Sequence, residues 1–434
     1  MNTLVVGGYG QIGVPVVRHL ARSELIDEVA IAGRDRARAE QAAAEVGPKA
    51  SALRLDATDP VAVRKAVGGR GLVLNLLPEP ERFQDPIIRA AIDVGAHFCG
   101  VHQREPDAAL HAAATKAGVT VLHGAGFHPG FLDLVGRLAY EGVDDLECVV
   151  EGLLYAPLQG IWTDLYRRYF PLPNGLDRGP QAEALPALLT GGGDEDALLA
   201  AIRDARVLEM WLHWMCSTEP ATATIPAHRE GRRIEVTPPI DGVDVPFAAG
   251  RGEPGMTVAP AVMAVAAGHV PGRPDVPLTR VRMSGFSAAF DRLVRDGSDA
   301  IRNGDADFDA TVRRAQAAVA ADLPSFLLPA PVFAGLPGAF HVAYGRRDGR
   351  PARAAAWSTH AWWTPRNWVD MTSANVALTA LRLLRGEINA VGLARVAEAD
   401  RIDDAYLQEL AALLPETPEG DMVGTLLEYP DAKP

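Results

Sequence analysis

Gly8, Gly10 and Gly13 stand in G-x-G-x-x-G spacing directly after the apolar run Thr3-Leu4-Val5-Val6. Residues Val14 to Arg22 follow, with Val16, Val17 and Leu20 on a helical period. Strand, glycine turn and helix in that order form a cradle for the diphosphate of a dinucleotide. Gly8 permits the tight turn, Gly10 lets the diphosphate approach the backbone, and Gly13 lets the helix pack close on the strand. The amides of Tyr9, Gln11 and Ile12 and the positive end of the helix would face the phosphates. About 20 residues on, where a ribose is sensed, the chain has Gly33-Arg34-Asp35. A carboxylate there would accept from a free 2′-hydroxyl, whereas Arg34 suits a 2′-phosphate by charge and fork geometry. NADP is therefore the expected cofactor, with Asp35 leaving NAD as the lesser alternative.

Other candidates stand at strand ends. Asp56 and Ala57 close an expected third strand, where an adenine edge can be read, and Leu76-Leu77-Pro78 close a fourth. Gly126 and Phe127 follow a sixth strand, and His128 stands next to them. Imidazole titrates in the range a proton donor needs, which makes His128 the first catalytic candidate. Tyr155 is the second. Tyr166 and Arg167 form an aromatic, basic patch able to grip a carboxylate, and Trp363 and Arg366 precede a long apolar helix. No metal site is expected: His213 and Cys216 have helical spacing but lack a third ligand.

The elements that position these residues are legible in the first third of the chain. Strands are expected at 28–32, 51–55, 71–77, 97–101 and 119–123. Helices are expected at 37–46, 61–67, 86–94 and 107–117. Asp59 is the expected N-cap and Pro60 the first helical residue of the second of these helices. Strands alternating with helices predict a doubly wound parallel sheet of the Rossmann type over residues 1–126.

Beyond Gly130 the texture changes, and all seven tryptophans lie downstream. Residues 127–369 read as an inserted α+β substrate domain with a mostly antiparallel sheet. Strands are expected at 147–155, 232–237 and 279–285, and helices at 131–140, 164–170, 194–215 and 310–322. A hairpin of 340–345 with 352–363 turns at Asp348-Gly349. The glycine- and proline-rich stretch 237–276 reads as a long loop. Residues 370–434 read as C-terminal helices, at 371–385 and 407–414, returning to the first domain. A polar tail follows from Pro415.

Composition narrows the function. A chain of 434 residues with 48% hydrophobic residues can bury more than one core. The net charge of −13 disfavours nucleic acid and anionic membrane surfaces as partners. No run is long and apolar enough to span a bilayer, and Met1-Asn2 leads straight into a strand with no leader. Three scattered cysteines suit a reducing, cytoplasmic setting. Lysine occurs only at Lys49, Lys65, Lys116 and Lys433, so no Schiff-base lysine stands between Ala117 and Ala432. The expected partner is a small-molecule substrate, and a homodimer is compatible with the reading.

The glycine turn, the Ala32-Gly33-Arg34 strand end, the Leu76-Leu77-Pro78 stop, the Gly124–Gly130 segment and the Thr372–Gly392 helix-and-turn follow one another as in a known group. On these motifs the chain resembles the saccharopine dehydrogenase (saccharopine reductase) family. The resemblance implies a Rossmann domain interrupted by a substrate domain, and hydride transfer between NADPH and a C=N or C=O bond of a small, carboxylated substrate. Two positions depart from the family pattern: His128 stands where an acidic residue is common, and Phe98-Cys99-Gly100 replaces Tyr-x-Asp. These departures leave room for a non-catalytic NADP-binding sensor. A transferase similar to homospermidine synthase, using the nucleotide transiently, is a further alternative.

Overall fold

The computed structural model describes residues 1–78, 80–154, 225–229, 232–236, 240–247, 255–261, 263–283, 288–322, 339–358, 365–414 and 422–430. They divide into two compact units: Met1–Leu134 with Trp368–Thr417, and Val135–Asn367 with Pro418–Pro434. The Tyr155, Tyr166, Arg167, Trp363 and 194–215 readings lie outside the described residues.

The first unit is built on the expected alternation. Its strands are β1 (Asn2–Val6), β2 (Glu28–Gly33), β3 (Ala50–Arg54), β4 (Leu72–Asn75), β5 (His97–Gly100) and β6 (Thr120–His123). Between them run α1 (Gly13–Arg22), α2 (Arg36–Val46), α3 (Pro60–Val67), α4 (Pro80–Asp93) and α5 (Ala108–Ala117); α6 (Phe131–Tyr140) follows β6. All strands pair in parallel. The sheet order is β6-β5-β4-β1-β2-β3, extended beyond β6 by a short strand, Gly392–Arg395, from near the C-terminus. The order reverses at β1, so the loops leaving β1 and β4 flank the place where such sheets bind nucleotides.

Period-two alternation decides the layers. Leu4, Val6, Ala30, Ala32, Val73, Phe98 and Val121 form one buried cluster with Val63, Ile87, Ile88 and Leu110 of α3, α4 and α5. Val5, Ile31, Leu74 and Cys99 alternate to the other face and are equally buried. Aspartates start three of the helices that run between the strands: Asp35, Asp59 and Asp107 accept the amides of Arg38, Val61 and Leu110. α4 is longer than the sequence suggests. It starts at Pro80, so Pro86, the first residue of the expected 86–94 helix, lies inside it.

The second unit holds a six-stranded mixed sheet. Its strands are β7 (Asp145–Leu154), β12 (Met263–Val270), β13 (Arg273–Met283), β14 (Ala339–Arg347), β15 (Arg350–Ser358) and β17 (Val423–Glu428), with β16 being the short strand of the first unit. The order is β12-β13-β7-β14-β15-β17; β13 and β7 run parallel and the other four pairs antiparallel. Two further hairpins are β8 (Ile225–Arg229) with β9 (Arg232–Val236), and β10 (Ile240–Phe247) with β11 (Gly255–Ala261). Helices α7 (Ala288–Asn303) and α8 (Phe308–Ala321) complete the unit's described elements. The Asp348-Gly349 turn is as expected, with positive φ at both residues joining β14 to β15.

Two readings are corrected here. Among the described residues of 237–276, the expected long loop is replaced by strands β10 to β12 and the start of β13. The polar tail contains β17, an edge strand of the second unit's sheet. In both places the ladder partner supplies the order that local composition hides.

The chain returns to the first unit through α9 (Pro365–Leu384), β16 (Gly392–Arg395), the short α10 (Val396–Ala399) and α11 (Asp404–Leu413).

Candidate functional site

β1 ends at Val6, and the chain turns at Gly7, whose φ is +83° and whose amide donates to the Ala32 carbonyl at 2.8 Å. The left-handed residue is thus Gly7, one position before the glycine assigned to the turn. A Cβ on Gly8 would stand 3.0 Å from the Val5 carbonyl and 3.2 Å from Ile31, so Gly8 is needed for close packing over β1 and β2. Gly13 plays its expected part: a Cβ there would lie 2.3 Å from the Gly7 carbonyl oxygen. Gly10 differs from both. A Cβ on it would meet only the Gly7 carbonyl oxygen, at 3.2 Å, and otherwise enter open space. Backbone packed on one side and open on the other is the form a diphosphate requires. The Ile12 N-cap position brings no side-chain bond to the first turn of α1.

At the end of β2 the Tyr9 ring lies over Gly33, where a Cβ would stand 2.2 Å from its Cε1. The Tyr9 hydroxyl accepts the Asp35 amide at 3.2 Å, and the Arg38 guanidinium sits 4.9 Å from the ring centroid. Asp35 accepts the Arg38 amide at 3.1 Å through Oδ1. Asp35 thus caps α2 through one of its two carboxylate oxygens. Arg34 and Arg38 are both exposed at this corner. Nearby, Asp56 accepts the hydroxyl and amide of Thr58 at 2.7 and 3.0 Å. Those two bonds, and more weakly Arg34 and Arg82, hold its carboxyl below the usual range. Asp56 is thus part of a local turn, beside the buried Ala57.

The exit of β4 lies against the glycine turn. A Cβ on Gly7 would meet the Leu76 carbonyl carbon at 3.2 Å and Leu77 Cδ2 at 3.3 Å. Leu76 donates its amide to Val6, and Asn75 Oδ1 accepts the Leu77 amide at 3.2 Å. Pro78 follows. His102, beyond β5, places Nε2 2.9 Å from the Leu77 carbonyl.

After β6, Gly126 and Gly130 form an isolated bridge, and the Gly126 and Phe127 carbonyls accept the amides of Phe131 and Leu132. Asp133 takes the Gly130 amide at 2.7 Å, and Phe127 stacks on Phe131 with centroids 6.1 Å apart. His128, half-buried, stands in this tight loop. Asn375 of α9 donates to the carbonyls of Ala125 and Gly126 at 2.8 and 2.9 Å and accepts the Tyr406 hydroxyl. Ser373 places its hydroxyl 3.2 Å from the Ile12 carbonyl. The returning helix thus braces both the β6 exit and the start of α1.

The structure brings together Gly8, Tyr9, Gly10, Gln11, Ile12, Gly13, Leu76 and Leu77 around one turn, with Arg34 at the end of β2. The backbone of Arg366 belongs to α9, and its side chain lies outside the described residues. Sequence reasoning missed Arg38, His102 and Asn375. Arg38 was signalled by its helical spacing from Arg34, and Asn375 by a polar residue among Ala374, Val376 and Ala377. His102 carried no local signal.

A seven-stranded parallel sheet with this glycine turn defines a Rossmann-type dinucleotide-binding domain. Residues 3–122 match the family described as the saccharopine dehydrogenase NADP binding domain. This part of the chain is accordingly similar to the NADP-binding domain of saccharopine dehydrogenases. Over 131 residues the chain is 30% identical to saccharopine dehydrogenase [NADP(+), L-glutamate-forming] of Schizosaccharomyces pombe. That match covers 30% of this chain and spans 28% of the relative's length. The structure of apo saccharopine dehydrogenase (L-Glu forming) from Saccharomyces cerevisiae aligns over 99% of this chain and 100% of its own, with a TM-score of 0.53 and 16% identity. That likeness is one of fold, and it extends over both units.

Proposed function

We propose that the protein is an NADP-dependent oxidoreductase of the saccharopine reductase type, acting on a C=N or C=O bond of a small carboxylated substrate. The observation that carries this reading is the open space at Gly10, within a turn whose other glycines are closed by backbone. The amides of Tyr9, Gln11 and Ile12 and the N-terminus of α1 hold the diphosphate. Arg34 and Arg38 share the 2′-phosphate, beside Asp35, whose Oδ1 caps α2. Leu76, Leu77, Pro78, Gly126 and Phe127 exclude water from the nicotinamide end. The bound nucleotide supplies the hydride, and the chain orients the acceptor and delivers a proton. His128, at the β6 exit where such sheets bind ligands, is the proton donor. The buried thiol of Cys99, outside any disulfide, supports a reducing, cytoplasmic setting.

The test is consumption of NADPH in mixtures of small amines with 2-oxo acids, with mass spectrometry of the reduced adduct. The expected result is NADPH loss matched by a product carrying the transferred hydride. NADPH binding without turnover across a broad panel of amines and carbonyl compounds would overturn the reading.

A further inference from the structure

Where α9 passes the start of α1 and the β6 exit, it carries three buried polar residues, Thr372, Ser373 and Asn375. The protein itself uses two of them. Ser373 places its hydroxyl 2.6 Å from the Val369 carbonyl, one turn back, and 3.2 Å from the Ile12 carbonyl. Asn375 donates to Ala125 and Gly126 and accepts from Tyr406. Thr372 is different. It is 3% exposed, and its hydroxyl has no hydrogen-bond partner among the described residues. Its methyl group lies against the β6 exit: a Cβ on Gly126 would stand 3.6 Å from Thr372 Cγ2.

Burying a hydroxyl without a partner costs free energy that a methyl group in its place would not. A helix offers such a hydroxyl one remedy, a bond to the carbonyl a turn back. Ser373 takes that remedy and Thr372 does not. A buried polar group left in this state calls for a ligand. Its position selects the part of the ligand. The diphosphate belongs at Gly10 and the 2′-phosphate at the end of β2. The sheet order β6-β5-β4-β1-β2-β3 then leaves the other half of an extended dinucleotide to the exits of β4, β5 and β6. Thr372 stands on that path, with its methyl against Gly126 and its neighbour Ser373 reaching Ile12. Thr379 provides a contrast on the same helix. It is also buried and without a partner among the described residues, but it lies two turns, about 10 Å, further along.

We propose that the Thr372 hydroxyl binds the nicotinamide half of NADP(H). A hydroxyl both donates and accepts, which suits the carboxamide and ribose hydroxyls of that half. The inference rests on the cofactor reading above and adds a residue from the far end of the chain to the site. The test is calorimetric titration of the full chain with NADPH and with adenosine 2′,5′-bisphosphate, which lacks the nicotinamide half, alongside Tm of the nucleotide-free protein. Wild-type protein should bind both ligands. Thr372→Val keeps the shape and removes the hydroxyl. It should weaken NADPH about three- to tenfold, leave the bisphosphate unchanged, and hold or raise Tm. Thr372→Ser should retain most of the NADPH affinity, and Thr379→Val should alter neither ligand. Thr372→Val that binds NADPH like wild type overturns the proposal. So does a parallel loss of both ligands or a fall in Tm, because either would give the hydroxyl a purely structural role. Thr372→Ser that loses as much as Thr372→Val, or Thr379→Val that matches its effect, also overturns it. Wild-type protein that binds neither ligand is a separate result, which removes the cofactor reading and this proposal with it.

Discussion

Asp35 and Arg34 are neighbours in sequence, and either could sense the ribose. Asp35 Oδ1 takes the Arg38 amide at the helix cap, and Arg34 stands exposed beside it. Arg34→Ala should therefore weaken NADPH about tenfold or more and leave NADH nearly unchanged, because a charge-assisted fork contact is lost. Arg38→Ala should act in the same direction. Fluorescence titration with both nucleotides checks each variant, and equal losses for the two nucleotides would remove the 2′-phosphate reading. The glycines give a paired prediction. Gly13→Ala forces a Cβ to 2.3 Å from the Gly7 carbonyl oxygen and should cost about 1–3 kcal/mol of stability, visible as a fall in Tm. Gly10→Ala meets far less protein and should leave Tm almost unchanged while weakening NADPH.

At the level of elements, α9 does more than complete a layer. Thr372, Ser373 and Asn375 are buried polar residues in an otherwise apolar stretch, and Asn375 satisfies two carbonyls of the β6 exit. Asn375→Ala leaves both carbonyls and the Tyr406 hydroxyl without their partner, which should cost about 1–3 kcal/mol. Chemical denaturation checks this, and NADPH affinity should fall as the Gly126–Phe127 loop loosens. The first unit was legible because each strand alternates or runs apolar between clear stops, and because Asp59-Pro60 announces a helix start. The second unit was less so. β10 to β13 are threaded with Gly268, Gly272, Pro246, Pro260 and Pro274, which mask alternation, and cross-strand pairing overrides the local signal. Gly297 interrupts the apolar pattern of α7, and β16 is too short to announce itself. The cofactor residues were readable because a strand–turn–helix motif encodes them locally. His102 and Asn375 were not, because their partners Leu77 and Ala125 stand far from them in sequence.

Over the whole molecule, acid should expose the weakness of the first unit. Burial, aided by Arg395 and Arg104, pushes His123 down to about 3, and its Nδ1 accepts the Arg104 amide at 3.2 Å. Burial likewise pushes His19 down to about 4, with Arg22 and Arg18 adding to it. Both are bound neutral by the fold, whereas the unfolded chain takes up protons near pH 6.5. Their contribution is present above about pH 6.5 and is lost as pH falls toward the folded values, on the order of a few kcal/mol in all. His123→Gln, which can still accept the amide, should flatten that slope in Tm measured from neutral to acidic pH. An unchanged slope would show that other groups govern the acid limb.

The central claim is that the turn at Gly7–Gly13 holds a dinucleotide whose 2′-phosphate is read at Arg34 and Arg38. Equilibrium titration of the full chain with NADPH and NADH, followed by reduced-nicotinamide fluorescence, tests it most directly. The account predicts saturable binding of NADPH, about tenfold or more tighter than NADH. Absence of saturable binding, or equal affinity for the two nucleotides, would contradict it.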